Sequence, residues 1–460
     1  MSGAWRLVNA ALLLLLFLMP LMILLGAAER TAGRPTVLFW LFLLLPFLIL
    51  PWLWRRSDPE EGPGAHVAAA RRVQPEGGDA GEELGALVAP VVDVRRAYTE
   101  AGVSIVQGRL RNHSSAAFAS LERLLSPRRL TPLLEDRGRD GVRVIALPQA
   151  VAGQLRRRGA ITTNVVLFLA TVATTVWAGA LHQGVNLLAD PSQFMAGVPY
   201  AAALLGILGV HELGHYFTAR RYGVDVTLPY FIPVPMGLGT FGAFIQMKSL
   251  IKSRQAVFDI GIAGPLAGLV VALPALYFGL RGTPPLDEAS DTTGLYAGSS
   301  FLLAVIYQFA NGGELGTAVI SLSPVAFAGW IGLFITALNL MPVGQLDGGH
   351  IAYGLFGQRW ARHIGMAAFL VMVGLGLTVW PGLLTWALMT ALIAGFSHMP
   401  ALDDVTPLDG KRFALGALAL AVLVLTIVPL PAGMRGLMLD CPIPVSAYRG
   451  PESATAGCGE

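Results

Sequence analysis

Charged side chains are scarce in this sequence. Lysine, arginine, aspartate and glutamate together make up 13% of its 460 residues, whereas 54% of the residues are hydrophobic. An average soluble protein has about twice that charged fraction, which excludes a soluble globular fold for most of the chain. The formal net charge is only +3. A strongly basic surface is therefore not expected, and we predict no nucleic-acid partner.

Cysteine is also nearly absent. The two cysteines, Cys441 and Cys458, both lie close to the C-terminal end. Neither can belong to a cysteine-rich zinc site or act as a thiol nucleophile in the body of the chain. In an oxidising compartment the two could form a disulfide, and two unpaired surface cysteines are the alternative.

Long apolar runs account for most of the sequence. Because a spanning helix needs about 20 apolar residues, we count about nine spans. The predicted fold is an all-α polytopic membrane protein with a small α/β domain and a membrane-associated strand or re-entrant loop. The predicted organisation is two N-terminal transmembrane helices at 1–56, a flexible linker at 57–83, a small soluble α/β domain at 84–158, a membrane-embedded core at 159–430 and a C-terminal tail at 431–460.

The small domain shows both helical and strand-like patterns. Residues 87–98 and 114–125 have helical spacing, and residues 103–110, 130–134 and 142–147 have the composition of strands. No catalytic cluster stands out among them. The many arginines of this domain are expected to form a solvated face.

The distribution of positive charge predicts an orientation. If nine spans are counted, the basic connections, such as Arg55-Arg56, Arg156–Arg158 and Arg220-Arg221, fall on one side of the membrane, and the positive-inside rule makes that side cytoplasmic. The N-terminus and the small domain are then cytoplasmic, and the C-terminal tail lies outside. No transit segment precedes the first span. We therefore predict a multi-pass protein of the bacterial cytoplasmic membrane.

The segment His211-Glu212-Leu213-Gly214-His215 is the most informative motif. It lies inside an apolar stretch that predicts a spanning helix. Histidines at positions i and i+4 share one face of a helix and can reach one metal ion, and Glu212 can hold a water molecule beside it. A carboxylate in such a helix costs about 2.5–3.5 kcal/mol on insertion scales, so a functional reason is expected.

A hydrolytic zinc site usually needs a third protein ligand. The best candidate is Asp347, in the segment that runs from Asn339 to His350, where Pro342 must interrupt a helix. Irregular backbone at membrane depth is tolerated where it lines a cavity or is buried in protein. We therefore predict one zinc ion bound by His211, His215 and Asp347, with Glu212 as the general base. Asn339 could donate a hydrogen bond to substrate or simply cap a helix.

The combination of HELGH with the later NLMPVGQLDGG resembles the site-2 protease family of intramembrane zinc metalloproteases. The glycine-rich segment Phe258–Gly268 is similar to the segment between those motifs in that family, and the resemblance covers about 162–430. The small domain and the stretch His398–Asp404 look more like the plastid and cyanobacterial branch. The resemblance implies cleavage of membrane-anchored proteins within or near their transmembrane segments, with zinc on His211, His215 and Asp347 and with Glu212 catalytic.

A substrate helix must unwind before water can attack its peptide bonds. An exposed strand edge could capture the unwound segment, and Leu228–Met247 is the candidate, especially Gly239–Gln246. The alternative is a re-entrant loop that only packs over the helices.

Two other functions compete with the protease. A metal- or proton-coupled transporter could use the same His/Glu/Asp set, but no repeated halves are visible. A catalytically silent relative that binds membrane proteins is the third possibility, and the intact Glu212 argues against it.

Overall fold

A computed structural model describes residues 80–100, 103–149, 161–234, 237–283, 295–312, 318–378, 382–393, 395 and 400–428. The two predicted N-terminal helices, most of the predicted linker, and the tail with Cys441 and Cys458 lie outside these ranges. The chain divides into two compact units, one of residues 1–154 with 369–396 and the other of residues 155–368 with 397–460.

The first unit contains a small domain with a four-stranded antiparallel sheet in the order β1-β2-β4-β3. Its elements are α1 (Ala80–Val88), β1 (Val92–Glu100), β2 (Val103–Leu110), α2 (Ser114–Leu125), β3 (Leu130–Asp136) and β4 (Val142–Pro148). The predicted helix at 87–98 is wrong, because the chain leaves α1 at Val88 and forms β1 instead. Pro90 cannot continue a helix, and the β-branched side chains of Val91, Val92 and Val94 favour a strand. The strand at 103–110 and the helix at 114–125 are confirmed.

The two αββ halves of this domain share one pairing pattern. Val92 pairs with Leu110 in the first half, and Leu130 pairs with Pro148 in the second. The equivalent strands β2 and β4 pair antiparallel at the centre, where Val106 lies opposite Val144. Both of these valines are fully buried. The domain is therefore built as two similar halves around one apolar core.

The rest of the described chain consists mainly of helices. They are α3 (Ile161–His182), α4 (Val198–Arg221), α5 (Arg254–Leu280), α6 (Phe301–Asn311), α7 (Pro324–Asn339), α8 (Asp347–Thr378), α9 (Gly382–Ile393) and α10 (Gly410–Ile427). Helix α9 and residues 369–378 of α8 belong to the first unit, and the other helices belong to the second. Of the described helices, α3, α5, α8 and α10 are long and apolar enough to cross a membrane, judged by length and composition. The described residues thus support a helical membrane protein with four candidate spans, fewer than the predicted nine.

Helix α8 changes direction at Gly357, whose φ of +76° is not helical. Glycine tolerates this backbone conformation without the steric cost that a side chain would add. The part of α8 before this change of direction begins at the predicted metal ligand Asp347.

A short hairpin lies between α4 and α5. It is formed by β5 (Tyr230–Pro233) and β6 (Thr240–Phe244), which pair antiparallel, and a further bridge joins Val226 to Met247. The predicted membrane-associated strand is therefore present as a two-stranded element. A second, minimal pair joins β7 (Leu295–Tyr296) to β8 (Val319–Ile320).

Small residues allow close packing of the central helices. A Cβ atom at Gly214 of α4 would lie 2.6 Å from the backbone oxygen of Ala263 in α5. A Cβ atom at Gly329 of α7 would lie 2.7 Å from the backbone nitrogen of Leu276, also in α5. Close backbone approach of this kind is the usual basis of helix association in membranes. It brings α4, which carries the HELGH motif, into contact with α5.

Candidate metal centre

His211, His215 and Asp347 meet at one point inside the helix bundle. The Nε2 atoms of the two histidines are 3.2 Å apart. Asp347 Oδ2 lies 3.2 Å from His211 Nε2, and Asp347 Oδ1 lies 3.2 Å from His215 Nε2. The spacing of the two histidines on α4 places both rings on one side of the helix, as predicted. Asp347, which is far from the two histidines in the sequence, therefore joins them in one cluster.

The loop from Leu340 to Leu346 brings Asp347 to the histidines. It begins where α7 ends at Asn339, and Gly344 within it has a φ of +52°. The two glycines that follow Asp347 pack directly on this loop, because a Cβ atom at Gly348 would collide with the Leu340 carbonyl and one at Gly349 with the Gly344 carbonyl. Close backbone approach therefore requires glycine at both positions after Asp347.

Glycines of α5 make room for the histidine rings. A Cβ atom at Gly264 would collide with the imidazole of His215, and one at Gly268 would lie 3.1 Å from Nδ1 of His211. A Cβ atom at Gly261 would lie 2.6 Å from Cβ of His350. These glycines thus combine close packing of α5 with space for the metal-binding side chains.

The backbone of α5 also orients His215. Nδ1 of this histidine lies 2.7 Å from the carbonyl oxygen of Ile260. A carbonyl can only accept a hydrogen bond, so Nδ1 carries the hydrogen and donates it. Nε2 of a neutral ring is then left with its lone pair directed toward the cluster, which is the usual arrangement of a metal-binding histidine.

Glu212 lies beside the cluster and is almost completely buried, with 6% of its surface exposed. Its carboxylate accepts a hydrogen bond from the backbone N–H of Ile245, the residue that follows β6. The acid predicted to act on a water molecule is therefore held between its own helix and the end of the hairpin.

The donor set fits a zinc ion. A nitrogen of His211, a nitrogen of His215 and a carboxylate oxygen of Asp347 all lie within 4.8 Å of one another. Among the described residues, this is the group of side chains that could hold a metal ion. Two imidazole nitrogens and one carboxylate oxygen are typical zinc ligands, and three protein ligands leave a fourth position open. Two neutral rings and one carboxylate carry a single negative charge, which partly neutralises a divalent cation.

Asn339 is the last residue of α7 and is partly exposed. Its predicted contact with substrate stays a prediction. His350 lies in the first turns of α8 and packs against Gly261 of α5, in agreement with a structural role.

Sequence reasoning missed an ion pair near the site. Arg412 of α10 bonds to Asp259 of α5, and Tyr222, at the end of α4, donates a hydrogen bond to the same carboxylate. Burial and the bond to Asp259 raise the pKa of the Tyr222 phenol. The available signal was the presence of Asp259 in an apolar helix, where an acidic residue usually has a partner.

The similarity of this chain to known proteins agrees with the geometry of the site. The model of peptidase family M50 matches residues 199–379, which include His211, Glu212, His215 and Asp347. The chain is 35% identical over 288 residues to the "Probable zinc metalloprotease EGY1, chloroplastic" of Arabidopsis thaliana, covering 57% of this chain and 52% of that protein. It is 32% identical over 245 residues to the corresponding EGY2 protein of the same plant, covering 52% and 43%. The chain thus spans about half the length of the curated relatives it matches.

These relatives contradict the predicted location. Their names place them in chloroplasts, which points to a plastid membrane, and the prediction of a bacterial cytoplasmic membrane is wrong. Positive charge in the connections orients spans relative to a membrane but does not identify which membrane it is.

The family itself is confirmed. The HELGH motif, the distal Leu-Asp-Gly segment and the similarity to plastid EGY proteins agree. Residues 199–379 match the model of peptidase family M50, the family of the site-2 proteases.

Proposed function

We propose that the protein is an intramembrane zinc endopeptidase. It hydrolyses peptide bonds within or near the transmembrane segments of membrane-anchored proteins. The observation that carries the proposal is the meeting of His211, His215 and Asp347 next to the buried carboxylate of Glu212. The printed names of the similar plant proteins, which are zinc metalloproteases, support the same activity.

One zinc ion is proposed on His211, His215 and Asp347. When bound, such an ion polarises a scissile carbonyl and makes nearby water more acidic. The carboxylate of Glu212 accepts the proton of the attacking water and then delivers it to the leaving amine. The Ile260 carbonyl keeps the His215 ring in one orientation during these steps. Asn339 is proposed as a donor to the substrate or to the developing negative charge.

The finer membrane topology is also proposed. Four described helices qualify as spans by length and composition, and α4 carries a buried polar motif in an otherwise apolar helix of 24 residues. We propose that α4, α7 and α9 also cross the membrane, and that the total is about nine spans. The lipid bilayer and membrane-anchored substrates are the proposed partners.

The outer edge of β6 is proposed to bind the substrate. The backbone N–H of Gln246 bonds to Thr227 Oγ1, and the Gln246 carbonyl accepts from Thr227 N–H, so both face the preceding strand. Because backbone groups alternate along a strand, those of Ile245 face the other way, and its N–H bonds to Glu212. The edge of β6 that does not pair with β5 thus adjoins Glu212 at Ile245. An extended peptide paired with that edge would lie beside Glu212.

A comparison of wild type with Glu212→Gln tests the proposed activity. The variant keeps the shape of the side chain and all three metal ligands, so zinc content should be unchanged. Cleavage of a membrane-anchored substrate should fall by about 10²–10⁴-fold, the usual contribution of general acid–base catalysis. Undiminished cleavage by the variant would reject the proposed function, and so would a wild-type protein that binds zinc and cleaves no membrane-anchored substrate.

A further inference from the structure

Asn164 is a buried polar residue in the first turn of α3, with 7% of its surface exposed. Its side-chain amide lies 2.9 Å from the carbonyl oxygen of Leu228 and 2.9 Å from that of Pro229. Two carbonyl oxygens can only accept, so the NH₂ group of Asn164 donates both bonds. Both acceptors lie just before β5. Asn164 therefore fastens the start of the β5–β6 hairpin to α3.

The other end of the hairpin is fastened as well. The hydroxyl of Thr174 in α3 donates to the Gly239 carbonyl at 2.7 Å, and the hydroxyl of Tyr200 in α4 donates to the Leu238 carbonyl at 3.0 Å. Gly239 has a φ of +80°, and a Cβ atom there would lie 2.5 Å from the Cα atom of Thr175. The turn between the two strands therefore lies directly on the backbone of α3.

Ring packing adds to this attachment on the β5 side. Phe168 of α3 and Phe231 of β5 are in edge-to-face contact, with their ring centroids 5.1 Å apart. On β6, by contrast, the side chains of Phe241 and Phe244 are 60% and 49% exposed. The hairpin is thus held along β5 and at its two ends, while the residue that follows β6, Ile245, bonds to Glu212 through its backbone N–H.

We infer that Asn164, together with Thr174 and Tyr200, positions the outer edge of β6 for an extended peptide substrate. The inference rests on the proposed function and assigns these residues no contact with the reacting atoms. Binding to an edge that is already in place costs less conformational entropy than binding to one that must first be ordered. Loss of the attachment should therefore weaken substrate binding more than the chemical step.

The same helix offers a matched control. Thr171 is fully buried in α3, and its hydroxyl donates to the Leu167 carbonyl of its own helix at 2.7 Å. Thr171→Val removes a buried hydroxyl of α3 without removing a bond to the hairpin. Thr174→Val makes the same chemical change one turn further on, where the hydroxyl does contact the hairpin. If the loss of any hydroxyl group from α3 weakened substrate binding, both variants would show it.

The test measures cleavage kinetics of a membrane-anchored substrate in mixed micelles for wild type, Asn164→Leu, Thr174→Val, Tyr200→Phe and Thr171→Val. Asn164→Leu should raise KM by about fivefold or more, since two hydrogen bonds to the hairpin are lost. Its kcat should stay within about twofold, because an interaction made equally in the ground and transition states affects KM alone. Zinc content should be unchanged in every variant.

A second measurement follows the hairpin without relying on activity. With Cys441 and Cys458 replaced by serine, a spin label attached through Phe241→Cys, on an exposed position of β6, should become more mobile in Asn164→Leu and in Thr174→Val. It should keep its wild-type mobility in Thr171→Val. If Asn164→Leu does not fold, Thr174→Val and Tyr200→Phe carry both measurements.

The outcomes separate the inference from the proposed function. Wild-type KM and label mobility in the three hairpin variants would overturn the inference and leave the protease proposal intact. An equal rise of KM in Thr171→Val would also overturn it, because the effect would then be a general one on α3. If the wild-type protein cleaves no membrane-anchored substrate, the proposed function is rejected. The label mobility then still decides whether Asn164 holds the hairpin.

Discussion

The guanidinium of Arg412 forms a two-point contact with the carboxylate of Asp259. Arg412 Nε lies 2.7 Å from Oδ1, and Nη2 lies 2.6 Å from Oδ2. The side chains are 20% and 23% exposed, so the pair is shielded from most of the solvent. It connects the start of α10 to α5 at the residue before Ile260, whose carbonyl oxygen contacts His215. We infer that this pair supports the packing of the core around the metal cluster.

Arg412→Gln should destabilise the protein by about 1–2 kcal/mol, because the Asp259 carboxylate would lose its charged partner in a partly buried position. Arg220→Gln is the matched control, since Arg220 is 57% exposed and lies 3.9 Å from Asp225. Removing that surface pair should cost less than about 0.5 kcal/mol. Thermal unfolding in detergent measures both variants, and an equal loss of stability in the two would contradict the role given to Asp259.

Asp347→Asn should reduce the bound zinc to well below about one ion per chain, because a carboxylate ligand is replaced by a weakly binding amide. Metal analysis of the purified protein gives the ratio directly. Chelation should lower the melting temperature of wild type, since a ligand that binds only the folded state stabilises it. The same treatment should have little effect on the variant. Full zinc content in Asp347→Asn would mean that the third ligand is another residue.

Gly264→Ala should impair zinc binding although it changes no ligand. An added methyl group would collide with the His215 imidazole, so the ring or α5 must shift. Gly206→Ala serves as the control, because a Cβ atom at Gly206 of α4 meets no heavy atom within 4 Å. The control should keep full zinc content, and Gly→Ala in a helix interior should even add about 0.5–1 kcal/mol of stability. Equal zinc content in the two variants would show that the site tolerates displacement of the ring.

Part of the site could be predicted from sequence because its chemistry is local. His211 and His215 are one helical turn apart, so any helix through them brings the two rings together. Asp347 was identified by residue type and by Pro342 and the glycines around it, which mark a break in an apolar region. A strand or a re-entrant loop was predicted at Leu228–Met247, and the pairing of two strands there was not.

Other features could not be predicted because they depend on packing between distant segments. Asn164 stands in the first turn of a helix, where nothing in its neighbours indicates that it bonds to Leu228 and Pro229. The pairing of Asp259 with Arg412 joins residues from two different helices. The prediction of a helix at 87–98 failed for a local reason. It relied on apolar spacing and gave too little weight to Pro90 and to the valines that follow it, which favour a strand.

The sequence by itself determined the membrane character of the chain, the donor types of the metal site and the family, because these depend on composition and on motifs within short segments. Tertiary structure decided which atoms meet. Close packing of α4 on α5 places Gly264 and the Ile260 carbonyl against His215, and the attachment of the hairpin to α3 directs the end of β6 toward Glu212. Such contacts depend on how helices far apart in the chain pack together, and short-range sequence patterns do not specify that packing.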